Sequence, residues 1–164
     1  SRWPTAKIGV DDGRLGPGRQ GNGAQGYAAR IWGVSNTEYI KQADPWPLNP
    51  EGEVFLGLKI ENRRALERCE ESLAVPGIAF AEWGPGDMGL SFGHLDRHDP
   101  PYPQEMTDAR ARIMAACKKN NLFFLNSAKP DTVVAMIDEG VRVVAAGKEA
   151  AEIGRKHTGR TIPW

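Results

Sequence analysis

Cysteine is scarce, net charge is absent, and no long apolar run occurs in this 164-residue chain. Each absence excludes something. Two cysteines, Cys69 and Cys117, fall in helix-like stretches without metal-ligand spacing. That excludes a disulfide framework or zinc cage, and the expectation is reduced core residues in a cytoplasmic protein. Lys and Arg number 21, and Asp and Glu number 21. Such a balance leaves no electrostatic footprint for nucleic acid or an acidic membrane surface. No apolar run approaches the roughly 20 residues needed to span a bilayer, so no membrane partner is expected. The chain opens at Ser1, without a methionine and without a basic-then-apolar leader. The expectation is that it begins partway through a domain.

Glycine and proline are plentiful, and they are unevenly spread. Residues 1 to 26 carry seven glycines together with Pro4 and Pro17, and no apolar periodicity. A long irregular loop is the reading, of the kind that serves a site. A short helix is expected near 36–43, stopped by Asp44-Pro45-Trp46-Pro47-Leu48-Asn49-Pro50, since proline disfavours helix in the residue before it. The boundaries are therefore one domain over 1–164, with a loop-rich segment at 1–50 and four strand–helix units at 51–164.

From residue 51 the pattern is regular. Val54 to Ile60 is a nearly continuous apolar run, as in buried parallel strands. Asn62 to Leu73 has amphipathic helical spacing, with Ala65, Leu66, Cys69 and Leu73 on one side. Ile78 to Trp83 reads as a second strand and Gly84-Pro85-Gly86-Asp87 as a turn. Residues 94 to 104 read as a surface excursion, and Thr107 to Lys119 as a helix. Leu122-Phe123-Phe124-Leu125 is a third strand, Pro130 to Glu139 a helix ended by Gly140, Val141 to Ala146 a fourth strand, and Lys148 to Lys156 a last helix. Four strand–helix alternations imply parallel strands with right-handed crossovers. An open doubly wound sheet and part of a closed (β/α)₈ barrel both fit. A whole barrel takes about 250 residues, so this chain would supply about half of one. No glycine-rich dinucleotide fingerprint follows any strand.

Two acids stand at consecutive strand ends. Glu61 closes the first clear strand and Asp87 follows the second, on the edge where parallel α/β proteins build their sites. Adjacent strands lie about 4.8 Å apart, close enough for both carboxylates to meet one ion. Carboxylates with positions left for water and substrate oxygens suit Mg²⁺ or Mn²⁺. Either acid alone is more simply a helix N-cap; the pair, with one member inside a Gly-Pro-Gly-Asp turn, favours the metal. Gly84 and Gly86 permit close backbone approach, and exposed amides at a helix start favour an anion such as a substrate carboxylate.

The segments Leu58-Lys59-Ile60-Glu61-Asn62, Val75-Pro76-Gly77-Ile78, Gly84-Pro85-Gly86-Asp87-Met88 and Leu90-Ser91-Phe92-Gly93 occur in this order. Together they resemble the HpcH/HpaI family of pyruvate-dependent aldolases. The similarity continues through Leu125-Asn126-Ser127 and Gly140 to Gly147. The resemblance implies an α/β fold, a (β/α)₈ TIM barrel of the phosphoenolpyruvate/pyruvate type, of which this chain supplies the C-terminal half. It implies a class II aldolase that cleaves a 4-hydroxy-2-oxo acid to pyruvate and an aldehyde, with metal ligands Glu61 and Asp87. Mg²⁺ or Mn²⁺ would serve, with Co²⁺ a further candidate. Gly84, Gly86, Asp87 and Leu125 would contact the pyruvate or 2-oxo acid substrate. The partners it implies are the N-terminal half of the barrel and further copies in a homo-oligomer. Alternatives are an oxaloacetate decarboxylase or another relative that works on the pyruvate enolate, and a non-catalytic barrel subunit or small-acid binding module.

Lys59 stands where the family usually has glutamine, and Glu82-Trp83 where it has an apolar pair. Lys59 is a candidate catalytic residue: a Schiff-base lysine if its pKa is lowered, otherwise an ion-pair partner of Glu61, with Glu82 a second candidate partner. None of His94, His98 and His157 takes the role of the family's histidine base, which belongs to the N-terminal half.

Overall fold

The computed structural model describes residues 25 to 160. The glycine-rich opening with Trp3 and Arg19, and Trp164 at the other end, lie outside the described residues. The chain divides into two compact units.

The first unit takes in residues up to Leu56 and Val75–Ala79. Helix α1 spans Gly26–Trp32 and ends at Gly33, whose φ of 69° is a left-handed conformation that glycine adopts without strain. Helix α2 spans Asn36–Gln42. Its cap is Ser35: the Ser35 hydroxyl accepts from the Glu38 amide and Glu38 accepts from the Ser35 amide. Trp32 packs edge-on against Tyr39. A two-stranded parallel sheet joins β1, Pro45–Trp46, to β2, Val54–Phe55, and Trp46 stacks on Phe55 with 5.1 Å between ring centroids. The apolar run Val54–Ile60 is thus divided at Leu56: its first residues pair with β1, and its last open a different sheet.

The second unit holds that sheet. Strand β3, Gly57–Lys59, leads to helices α3, Arg63–Glu67, and α4, Cys69–Leu73. Strand β4, Phe80–Glu82, leads to α5, Pro85–Phe92, and then to α6, Gln104–Lys119. Strand β5, Phe123–Ala128, leads to α7, Val133–Glu139, and β6, Val143–Ala146, to α8, Lys148–Thr158. The four strands are parallel and lie in sequence order β3-β4-β5-β6. Two expectations change. The single helix over 62–73 is two, because Arg68 leaves the helical region at φ −116°, ψ 23°. The Gly84-Pro85-Gly86-Asp87 turn is the start of α5, with Gly84 as the cap and Pro85 in the first turn. Proline needs no amide partner there, and its fixed φ already suits a helix.

Strand register decides which face does what. Leu58, Ala81 and Phe124 stand side by side, and Ala81 and Phe124 are buried. Their face carries the core, with Met88, Met106, Ile113 and Cys117 from the covering helices also buried. Buried Asn126 lies on this face too. It accepts from Arg110 Nε at 2.9 Å, while the same guanidinium grips Glu139 at 2.6 and 2.7 Å. The opposite face carries the row Lys59, Glu82, Leu125, Val143, aligned residue for residue across the strands. None of these four is buried.

Candidate active site at the carboxyl ends of the strands

Beyond Lys59 the first strand continues for one more ladder bond, from the Ile60 amide to the Glu82 carbonyl at 2.9 Å. Ile60 is buried, so alternation turns Lys59 and Glu61 to the open face. The chain then enters α3 through Asn62, whose side chain accepts from the Ala65 amide at 2.8 Å. Asn62 therefore does the capping, and the Glu61 carboxylate is left for other work. At the second strand end Gly84 caps α5 with no side-chain hydrogen bond, so Asp87 does not cap either helix end. The bland reading of both acids as N-caps does not describe this structure. The start of α3 is also tied to the end of α5. The Arg63 amide donates to Ser91 Oγ at 2.9 Å, and its guanidinium donates to the Phe92 carbonyl at 3.1 Å.

Glu61 lies against the backbone of Gly84. A Cβ placed on Gly84 would overlap Glu61 Oε1 and stand 2.9 Å from its Cδ. Any larger residue would push the carboxylate from this position. Lys59 Nζ is 3.2 Å from Glu61 Oε1 and 3.9 Å from Glu82 Oε2. The hydrogen bond that Lys59 donates to Glu61, then the charge of Glu61, hold the Lys59 ammonium above the ordinary lysine range, and the charges of Glu82 and Asp87 add to this. A lowered pKa, which a Schiff-base lysine needs, is the opposite of this direction. Lys59 is an ion-pair partner of both glutamates.

Asp87 is exposed in the first turn of α5. The first intrahelical bond runs from the Met88 amide to the Gly84 carbonyl at 3.1 Å. The amides of Gly86 and Asp87 precede it and have no carbonyl within the helix to bond. They form the positive end of an eight-residue helix, suited to an anion. Leu125 is in register with Glu82 and forms an apolar shoulder beside it. The structure thus gathers Lys59 and Gly84 around the Glu61 carboxylate, with Glu82 beside the same ammonium and Gly86 and Asp87 in the helix turn that follows.

Among the described residues no group of three or more His, Cys, Asp or Glu side chains forms a metal cage. The donor set still suits a hard cation. Glu61 and Glu82 share the single Lys59 ammonium, which leaves negative charge for a divalent ion to neutralise. Mg²⁺ is commonly held by one or two carboxylates, with substrate and water completing its shell.

Sequence reasoning named His98 only to set it aside as the histidine base. It lies in the stretch between α5 and α6, yet its ring lies beside Gly86: a Cβ there would stand 2.9 Å from His98 Cδ2. Lys129, the first residue after β5, bonds Asp99 at 2.9 Å. Tyr102 meets buried Trp83 edge to face, with 5.2 Å between centroids. The adjacent histidine and aspartate were the only signal, and it does not reveal where the stretch folds back.

Parallel strands in sequence order, with helices over one face, are part of a (β/α)₈-type fold. Residues 19–158 match the HpcH/HpaI aldolase/citrate lyase family, and the chain belongs to that family. It is 28% identical over 131 residues to 2-keto-3-deoxy-L-rhamnonate aldolase of Escherichia coli (strain K12), a match covering 79% of this chain and 45% of that one. Among solved structures it is similar to an HpcH/HpaI aldolase/citrate lyase family protein from Burkholderia cenocepacia J2315. There the TM-score is 0.61 at 21% identity, over 87% of this chain and 51% of the other. It is also similar to a citrate lyase beta subunit complexed with oxaloacetate and magnesium from M. tuberculosis. That TM-score is 0.56 at 16% identity, over 73% and 58% of the two chains. The chain spans about half the length of the relatives it matches. The barrel fold expected from the sequence is the fold of these neighbours. Among the described residues, no helix is long and apolar enough to cross a membrane.

Proposed function

We propose that the protein carrying this chain is a class II aldolase that cleaves a 4-hydroxy-2-oxo acid to pyruvate and an aldehyde. Glu61 and Asp87 would hold a divalent ion, Mg²⁺ or Mn²⁺ with Co²⁺ as a further candidate. When bound, the ion supplies Lewis-acid stabilisation of the charge that develops on the 2-oxo group as the C3–C4 bond breaks. The chain's own residues do the rest on this side of the site. The Gly86 and Asp87 amides receive the substrate carboxylate, and Gly84 lets Glu61 approach without a side chain in the way. Lys59 bridges Glu61 and Glu82, and Leu125 excludes water from one flank. The N-terminal half of the barrel would cover the open face of the sheet, where Lys59, Glu82, Leu125 and Val143 are not buried. Assembly into a homo-oligomer belongs to the same reading.

The observation that carries this reading is the seating of Glu61 on Gly84, the cap of the helix whose first turn bears Asp87, inside the segment that matches the family. The magnesium in the citrate lyase beta subunit complex supports the choice of ion. The test is proton NMR of pyruvate in heavy water with the full-length protein. Metal-dependent loss of the methyl signal without any aldehyde present is the expected result, since the enolate is common to every substrate of this class. Protein that binds the ion but leaves the methyl signal intact would overturn the reading.

A further inference from the structure

The open face of the four-stranded sheet is built in rows. Gly57, Phe80 and Phe123 stand in register as a first row. A Cβ on Gly57 would overlap the Phe80 ring, so the ring lies across the glycine and fills the face there. The row Lys59, Glu82, Leu125 and Val143 comes next, two residues further along the strands. Two residues further again come Glu61, Gly84, Ser127 and Ala145, of which Ser127 and Ala145 are paired in register. This row borders the carboxyl ends of the strands. Its side chains beyond Glu61 are small or absent.

Ser127 is fixed in this row from behind. Its neighbour Asn126 is buried on the helix-covered face and accepts from Arg110 Nε at 2.9 Å, while Glu139 holds the same guanidinium. Alternation then turns the exposed Ser127 to the open face. Its hydroxyl makes no hydrogen bond among the described residues. The Glu61 carboxylate leans into the space that a Gly84 side chain would fill, so its Oε1 stands at the Gly84 place in the row. The next place is that of Ser127, about 4.8 Å on, the spacing of adjacent strands. A small molecule held at Glu61 can therefore reach the Ser127 hydroxyl.

We propose that Ser127 is a substrate-binding residue, whose hydroxyl forms a hydrogen bond with the 4-hydroxyl of the 2-oxo acid. The proposal rests on the aldolase reading above and names a contact for the part of the substrate that leaves as the aldehyde. Elimination leads to that oxygen. In the aldolase reading the carboxylate and the 2-oxo group are taken by the ion and by the start of α5. The 4-hydroxyl is the remaining polar group that every such substrate carries. Serine suits it, because a hydroxyl both donates and accepts and brings no charge. Lys59 is engaged with Glu61 and Glu82 in the row below. Gly84 and Ala145 on either side add little bulk, which leaves room for the carbon chain beyond C3.

The experiment is competition against pyruvate methyl exchange in heavy water, with the full-length protein and Mn²⁺. The competitors are 4-hydroxy-2-oxopentanoate and 2-oxopentanoate, which differ only in the 4-hydroxyl. Initial rates are read, before turnover of the hydroxy acid alters its concentration. The wild type is expected to bind the 4-hydroxy acid more tightly than its deoxy analogue. Ser127→Ala is expected to weaken the 4-hydroxy acid about fivefold, the size of one neutral hydrogen bond, and 2-oxopentanoate by less than about twofold. Ser127→Thr keeps the hydroxyl and is expected to recover the preference. A packing role moves both acids alike, and equal shifts overturn the proposal. So do unchanged binding of both acids in Ser127→Ala, a wild type without the preference, and a Ser127→Thr no better than Ser127→Ala. Each of these results in a protein that exchanges pyruvate removes Ser127 alone. A wild type that exchanges nothing removes the aldolase reading and Ser127 with it.

Discussion

Replacing Gly84 by alanine isolates the geometry of Glu61 from every other variable. Gly84 has φ −100° and ψ 109°, an extended conformation open to any residue, so alanine brings no backbone strain. What it brings is a methyl group in occupied space. The added carbon would overlap Glu61 Oε1, stand 2.9 Å from Cδ and 3.2 Å from Cγ. Relaxed carbon contacts are about 3.5–4.0 Å, so the carboxyl group has to retreat by about 1 Å. Metal ligands hold their distances to within about 0.2 Å. A displacement of about 1 Å at a reacting centre commonly costs about a hundredfold. Gly84→Ala is therefore expected to weaken Mn²⁺ binding about a hundredfold, measured by calorimetric titration. Stability should fall by about 1 kcal/mol, the lower end of overpacking costs, because the side chain can swing toward solvent. Thermal unfolding measures that second quantity. Unchanged Mn²⁺ affinity in a folded Gly84→Ala protein would refute the placement of Glu61 as a ligand.

Other outcomes follow from the same coordinates. Because Glu61 holds the Lys59 ammonium above the ordinary lysine range, borohydride with pyruvate should leave Lys59 unlabelled at neutral pH. A trapped adduct on Lys59, identified by peptide mass, would replace the metal route with a Schiff base. Arg110→Ala strips the partner from buried Asn126 and from Glu139. Denaturant unfolding should show a loss of about 1–3 kcal/mol, the cost of leaving buried Asn126 without its donor. Arg112 holds Glu70 down at about 2 from an ordinary 4.5, chiefly through its hydrogen bonds. The contribution of that pair to stability is complete above the ordinary glutamate range and disappears as pH falls toward about 2. NMR titration should find Glu70 still ionised near pH 3 and restored to ordinary behaviour in Arg112→Ala.

The order and direction of the strands were legible because each is a short apolar run between helical patterns, and crossover handedness leaves few ways to join them. Sites at the carboxyl ends of parallel strands are a rule of the fold, so Glu61 and Asp87 stood out without coordinates. Proline and glycine misled at 84–87, where their reputation as breakers hid a helix that starts on them. Arg68 interrupts a run whose periodicity is unbroken, so no pattern could show it. The helix Gly26–Trp32 escaped for a similar reason: it opens on a glycine and closes after seven residues. The ion pairs of Lys59 follow from alternation along β3 and register with β4, and both were readable. The approach of His98 to Gly86 depends on a folded-back path between helices, which spacing in a sequence does not encode.

The account rests on Glu61 and Asp87 jointly holding the divalent ion that takes pyruvate. Electron paramagnetic resonance titration of Mn²⁺ with the full-length protein, its Glu61→Gln and its Asp87→Asn tests this most directly. The predicted result is one tight site per chain, weakened at least about a hundredfold in each variant, with a spectrum that changes when pyruvate is added to the wild type. Equal Mn²⁺ affinity in all three proteins, or a bound spectrum that ignores pyruvate, would contradict it.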